Sequence, residues 1–102
     1  LHVGGLAICP DNRTATVDHT PLNLTPVEFD LLLSLARARG RVKSREQLVD
    51  EIRDRHYDVF DRSVDVHISA LRKKLGDDPR QPRFIRTLRS AGYLLIDHRQ
   101  GG

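Results

Sequence analysis

The sequence predicts an α+β fold, with a small sheet first, three helices in the middle and a β-hairpin at the end. Three observations predict it. Residues 3–24 are short apolar and β-branched runs broken by turn residues. From Phe29 to Leu75 the apolar positions recur at helical spacing, in segments with their own start and stop signals. Strand formers then flank Arg89-Ser90-Ala91-Gly92 within residues 84–96.

Taking the elements in order, Val3 to Cys9 is apolar and strand-like, with Gly4 and Gly5 as strand glycines. Asp11-Asn12 marks a turn, Thr14 to Asp18 a second strand, His19 to Pro21 another turn and Leu22 to Leu24 a short strand. Thr25 is the N-cap of the first helix, Pro26 its first residue and Glu28 the partner in a capping box. Phe29, Leu32, Leu33 and Ala36 form its buried stripe, and Gly40 stops it. After an extended link at Val42, Ser44 opens a second helix with Gln47 completing a capping box, and Leu48 and Ile52 share one side. Residues 53–60 have no period and read as a loop. Asp61 is expected to cap a third helix to about Leu75, ended by Gly76-Asp77-Asp78-Pro79. Tyr93 follows the glycine of the closing hairpin, and residues 97–102 are expected to be a frayed tail. Sheet, three helices and hairpin, in that order, describe a winged helix-turn-helix.

Composition narrows the function. A chain of 102 residues makes one compact domain, here expected over 1–102, with the sheet at 1–24, the helical core at 25–75 and the hairpin at 84–96. No apolar run is long enough to cross a bilayer. Cys9 is the single cysteine, and His2, His19, His56, His67 and His98 are scattered without triad or ligand spacing, so neither enzyme, metal nor cofactor is expected. The formal net charge is +3, and it is uneven: residues 61–89 hold eight Lys or Arg against four Asp or Glu. A basic segment in an otherwise balanced chain is the electrostatic footprint of a polyanion binder.

The third helix sharpens this. With Val64 at the origin of a helical wheel, Ile68, Leu71 and Leu75 fall within roughly 40° and face the core. The opposite side carries Arg62, Val66, Ser69, Ala70 and Lys73, flanked by Ser63, His67, Arg72 and Lys74. A face that is small along its middle and basic at its margins suits a major groove. Val66 is placed for thymine methyls, Lys73 for a guanine edge, and Arg62, His67, Arg72 and Lys74 for phosphates. Asp65 is expected to pair with Arg62 one turn earlier or with a neighbouring helix. Arg89, on a thin turn reached through Arg86 and Thr87, suits a narrow minor groove.

The chain resembles the OmpR/PhoB-type effector domains of bacterial two-component response regulators. The likeness rests on Leu24-Thr25-x-x-Glu28-Phe29-x-Leu31-Leu32, Ser44-Arg45-Glu46-x-Leu48 and the run Asp61-Arg62-Ser63-Val64-Asp65-Val66-His67-Ile68-x-x-Leu71-Arg72-x-Lys74-Leu75. It continues through Asp78-Pro79, Pro82-Arg83-Phe84-Ile85-x-Thr87-Leu88-Arg89 and Gly92-Tyr93. It implies a four-stranded N-terminal sheet, phosphate contacts from Arg62, Ser63, His67, Arg72 and Thr87, base-facing Val66, Ala70 and Lys73, and a wing-tip Arg89. Some relatives carry a base-reading arginine where this chain has Ala70, which shifts base reading towards Val66, Ser69 and Lys73. The loop at 53–60 resembles the family's transactivation loop, which in some members touches RNA polymerase, with Arg55, His56 and Tyr57 as its candidate contacts. The resemblance further implies a cytoplasmic regulator of transcription whose phosphate-accepting receiver domain, absent from these residues, is the target of a sensor kinase. It implies a monomer that pairs in tandem on direct repeats of double-stranded DNA. The rival reading is a winged-helix protein-interaction module, for which Val66 alone is a thin apolar anchor.

Overall fold

The computed structural model describes residues 1–96, so the expected tail lies outside the described residues. Strands β1 (His2–Val3), β2 (Leu6–Cys9), β3 (Thr14–Val17) and β4 (Thr20–Pro21) form an antiparallel sheet in sequence order. Two turns differ from expectation. Gly4 and Gly5 are not strand residues but the turn between Val3 and its partner Leu6, with Gly4 at φ +59°. Asp18 and His19 turn the chain between Val17 and Thr20, both at positive φ, as a two-residue hairpin requires. The strand therefore falls on Thr20–Pro21, and Leu22 and Leu24, instead of forming one, pack as partly buried side chains against the core.

Helix α1 (Pro26–Arg37) starts on the predicted capping box: the Thr25 hydroxyl accepts the Glu28 amide at 3.2 Å, and the Glu28 carboxylate accepts the Thr25 amide at 2.9 Å. Helix α2 (Arg45–Ile52) repeats the device with Ser44 and Gln47. Helix α3 (Asp61–Leu75) starts one residue earlier than expected. Phe60 is its extended N-cap, whose carbonyl accepts the Val64 amide at 3.1 Å, so Asp61 is the first helical residue and not the cap. Gly76 closes α3 in the left-handed conformation at φ +71°. The wheel's stripe is confirmed, since Val64, Ile68, Leu71 and Leu75 are all buried in one core with Leu31, Leu32, Leu48, Ile85 and Leu95.

The closing hairpin, β5 (Ile85–Leu88) and β6 (Gly92–Leu95), is fastened on both edges. On the β6 edge, Tyr93 and Lys43 exchange backbone hydrogen bonds at 2.8 and 2.9 Å, so the link before α2 acts as a third strand. Gly92 sits where they meet, at φ +134°, and a Cβ there would lie 2.0 Å from the Lys43 carbonyl oxygen. On the β5 edge, the buried Asp77 carboxylate accepts the Ile85 amide at 2.8 Å and the Phe84 amide at 3.3 Å. The Ile85 carbonyl accepts Nη2 of Arg72 at 3.0 Å. Side chains thus satisfy both outward-facing backbone groups of Ile85.

Two carboxylates, buried Glu28 and half-buried Asp30, tie α1 to its neighbours. Glu28 is 3% exposed and accepts Lys74 Nζ at 2.6 Å. Burial pushes its carboxyl up, but Lys74 and the Thr25 amide more than offset this and hold it below the usual carboxylate range. Asp30 is held low in the same way, with burial opposed by Arg13 and His56.

Two outcomes follow. Arg72→Ala, which orphans the Ile85 carbonyl, should lower the unfolding free energy by roughly 2–3 kcal/mol, against less than about 0.5 kcal/mol for exposed Lys73→Ala. Urea unfolding curves check this, and equal midpoints for the two variants would contradict it. Because Glu28 and Asp30 are held low in the fold and relax to ordinary values when unfolded, their contribution is present above the ordinary range and lost as pH falls. Urea midpoints should therefore hold steady from neutral pH and fall below about pH 4, less steeply in Glu28→Gln.

Candidate nucleic-acid interface

Because the apolar stripe of α3 points inward, its far side is presented to solvent. Val66 is 68% exposed, Ser69 and Lys73 are exposed, and Ala70 is half-buried between them. Lys73 makes no hydrogen bond or ion pair among the described residues. Ser63 and His67 are half-buried at the margins, and the Arg62 side chain lies outside what is described.

Two predicted phosphate donors are engaged by acceptors of the protein itself. Arg72 is 9% exposed, with Nη2 donating to the Ile85 carbonyl and to the Thr87 hydroxyl. Its Nε has no partner among the described residues. Lys74 is at the surface, but its ammonium group is committed to Glu28. Both residues sit at the borders of the buried stripe, where β5 and α1 approach closely enough to offer acceptors. An arginine or lysine at such a border reaches back to satisfy a buried oxygen before it reaches out.

The hairpin stands beside α3. Arg86 lies on its exposed strand, and Arg89, Ser90 and Ala91 form an exposed tip with Ser90 at φ +66°. Thr87 is exposed and accepts from Arg72, which leaves its own hydroxyl proton to donate. Arg72 thus links the third helix to the hairpin.

A second link was not read from the sequence. Tyr93 donates its hydroxyl to Asp65, and the same carboxylate oxygen lies 2.7 Å from Arg45 Nε. Of the two partners left open for Asp65, the neighbouring helix is realised, through Arg45 of α2, together with the hairpin. The guanidinium groups of Arg45 and Arg72 lie 5.4 and 5.9 Å from the centre of the Tyr93 ring. Burial and the Asp65 hydrogen bond push the Tyr93 hydroxyl up. For Asp65, Tyr93 and Arg45 outweigh burial and hold the carboxyl low. Gly92-Tyr93 was legible only as a hairpin marker, and nothing local to Arg45 announced its partner.

The loop at 53–60 also divides. Arg55 is exposed and Tyr57 is 82% exposed, but His56 turns inward, with Nε2 2.7 Å from an Asp30 oxygen. Asp30 accepts Arg13 as well, at 2.9 Å, so His56 anchors the loop to α1. Phe60, which sequence reasoning passed over, is 62% exposed at the end of this loop.

Among the described residues no cluster of His, Cys, Asp or Glu could hold a metal ion, and no helix is long and apolar enough to cross a membrane.

A family model described as "Transcriptional regulatory protein, C terminal" matches residues 19–95. The transcriptional regulatory protein RstA of Escherichia coli K12 is 45% identical over 96% of this chain, which spans 41% of that protein. PhoP of Bacillus subtilis, named as an alkaline phosphatase synthesis transcriptional regulatory protein, is 42% identical over 91% of the chain and 39% of its own length. Among solved structures, the RstA DNA-binding domain of Klebsiella pneumoniae, crystallised in complex with the RstA box, superposes with a TM-score of 0.85 at 41% identity, covering 96% of this chain and 97% of that one. The DNA-binding domain of CpxR from E. coli gives 0.79 at 40% identity, with 95% of each chain covered. The chain shares their winged-helix fold, and it belongs to the transcriptional regulatory protein C-terminal family, the DNA-binding domains of OmpR/PhoB-type response regulators.

Proposed function

We propose that this chain binds double-stranded DNA sequence-specifically and regulates transcription as the output domain of a two-component response regulator. The observation that carries the reading is the outer face of α3, where Val66, Ser69, Ala70 and Lys73 stand clear of internal partners beside a hairpin with a basic tip. Small side chains allow close approach to base edges in the major groove, Val66 meets thymine methyls, and Lys73 reaches a guanine. Ser63, His67, Arg62 and the Thr87 hydroxyl line the approach to phosphates, and Arg89 enters the minor groove. The Klebsiella RstA DNA-binding domain, which shares this fold, was crystallised in complex with its box, which supports DNA as the partner.

Within the whole regulator, a receiver domain phosphorylated by a sensor kinase brings two copies together on direct repeats, and the isolated domain binds each half-site weakly. Exposed Arg55 and Tyr57 offer a contact to RNA polymerase, with His56 holding their loop in place. Location in the cytoplasm follows from that role. The matched family is one of transcriptional regulators, not of enzymes.

Selection from a random duplex library at moderate salt tests the reading. Enrichment of a short motif is expected, as direct repeats about one helical turn apart when two copies bind. Retention without an enriched motif, or no retention, would contradict sequence-specific binding and favour a protein partner. On the selected duplex, Lys73→Ala should cost about 1–3 kcal/mol against the preferred base pair and relax preference at that position alone. An equal loss on every sequence would assign Lys73 to phosphate instead.

A further inference from the structure

A ring of contacts closes on the hairpin at Tyr93, which pairs with Thr87 one rung before the Leu88–Gly92 pair that closes the turn. Asp65 on α3 accepts the Tyr93 hydroxyl from β6, and the same oxygen lies 2.7 Å from Nε of Arg45 at the start of α2. Tyr93 in turn exchanges backbone hydrogen bonds with Lys43, just before α2, at 2.8 and 2.9 Å. Recognition helix, hairpin and the start of α2 therefore meet at one carboxylate.

That carboxylate is oddly placed for any purpose of its own. Asp65 is on the helix proposed to face a polyanion, next to Val66, and its side chain is 47% exposed. A negative charge there repels phosphate, and a half-exposed ion pair contributes little to folding. Its geometry nonetheless spans three elements, and the hydroxyl it accepts belongs to a ring that is otherwise buried. We infer that Asp65 is a positioning residue for DNA binding, which through Tyr93 and Arg45 sets the angle and distance of the wing relative to α3. This rests on the DNA-binding reading. With the ring intact, Lys73 and Arg89 meet their two grooves as one preformed unit, and the ordering cost of the wing is met before binding. Without it, Asp77, Arg72 and the Lys43 backbone still hold the strands as far as the Thr87–Tyr93 pair, but the Tyr93 ring loses its tie to α3 and the turn at 89–91 is held less firmly against that helix.

Asp65→Ala and Tyr93→Phe test this, each alone and combined with Arg89→Ala or Lys73→Ala, on the selected duplex. In the unaltered background Arg89→Ala should weaken binding at least about fivefold. In either ring variant that increment should shrink to within about twofold, while the Lys73→Ala increment stays whole. An Arg89 increment of full size in both ring variants would overturn the inference, because a merely structural role lowers stability without uncoupling the wing. A second readout needs no DNA. Backbone amide order parameters at residues 89–91 should fall from about 0.85 towards about 0.6 in the ring variants, with α3 unchanged. Unchanged values would equally overturn it. If order parameters fall but the unaltered chain selects no DNA sequence, the DNA-binding reading fails and the role assigned to Asp65 fails with it.

Discussion

Arg72 on α3 and Asp77 just past its C-cap meet the outer edge of β5, and the foot of the wing is fixed by that meeting. An unpaired strand edge exposes donors and acceptors that water or another chain will claim. Here the Ile85 amide goes to Asp77 and the Ile85 carbonyl to Arg72, so the start of that edge is closed by α3 and the residues just after it. Both side chains are at least nine-tenths buried. Each would be costly to bury unpaired, which makes the junction between helix and wing hard to open.

The other elements complete a rigid support. The capping boxes of α1 and α2 fix where those helices begin, and the Glu28–Lys74 pair joins the first of them to α3. Gly92 lets β6 come close enough for Tyr93 to pair with Lys43. The result is a helix face and a hairpin tip whose separation is determined by the protein. Such an arrangement suits the proposed reading of two grooves together, because neither part must search for its position after the other has bound. The same rigidity explains the division of labour among the cations. Arg72 and Lys74 are engaged by acceptors of the protein itself, whereas exposed Lys73 and Arg89 have no hydrogen-bond or ion-pair partner among the described residues, which is why they are the ones proposed for DNA.

Periodicity and capping chemistry made most of the fold legible. The stripe from Val64 to Leu75 is buried as its spacing requires, and both capping boxes form because their residues lie three apart with the right side chains. Turns were less legible. Asp18 and His19 both adopt positive φ, which neither residue type demands, and the strand after them moved accordingly. Pairings distant in sequence could not be read at all: Asp65 to Tyr93 spans 28 residues, and His56 to Asp30 spans 26. A wheel treats a border position such as Arg72 as surface until the packing of β5 supplies a carbonyl for it. Of the surface set, Val66, Ser69 and Lys73 were legible because the side opposite a narrow apolar stripe has nowhere else to point.

The central claim is that α3 and the wing form one DNA-reading surface. Methylation interference on the selected duplex tests it most directly, because guanine N7 reports the major groove and adenine N3 the minor groove. The account predicts interference at both, on one face of the duplex and about half a helical turn apart. Interference confined to one groove would contradict it.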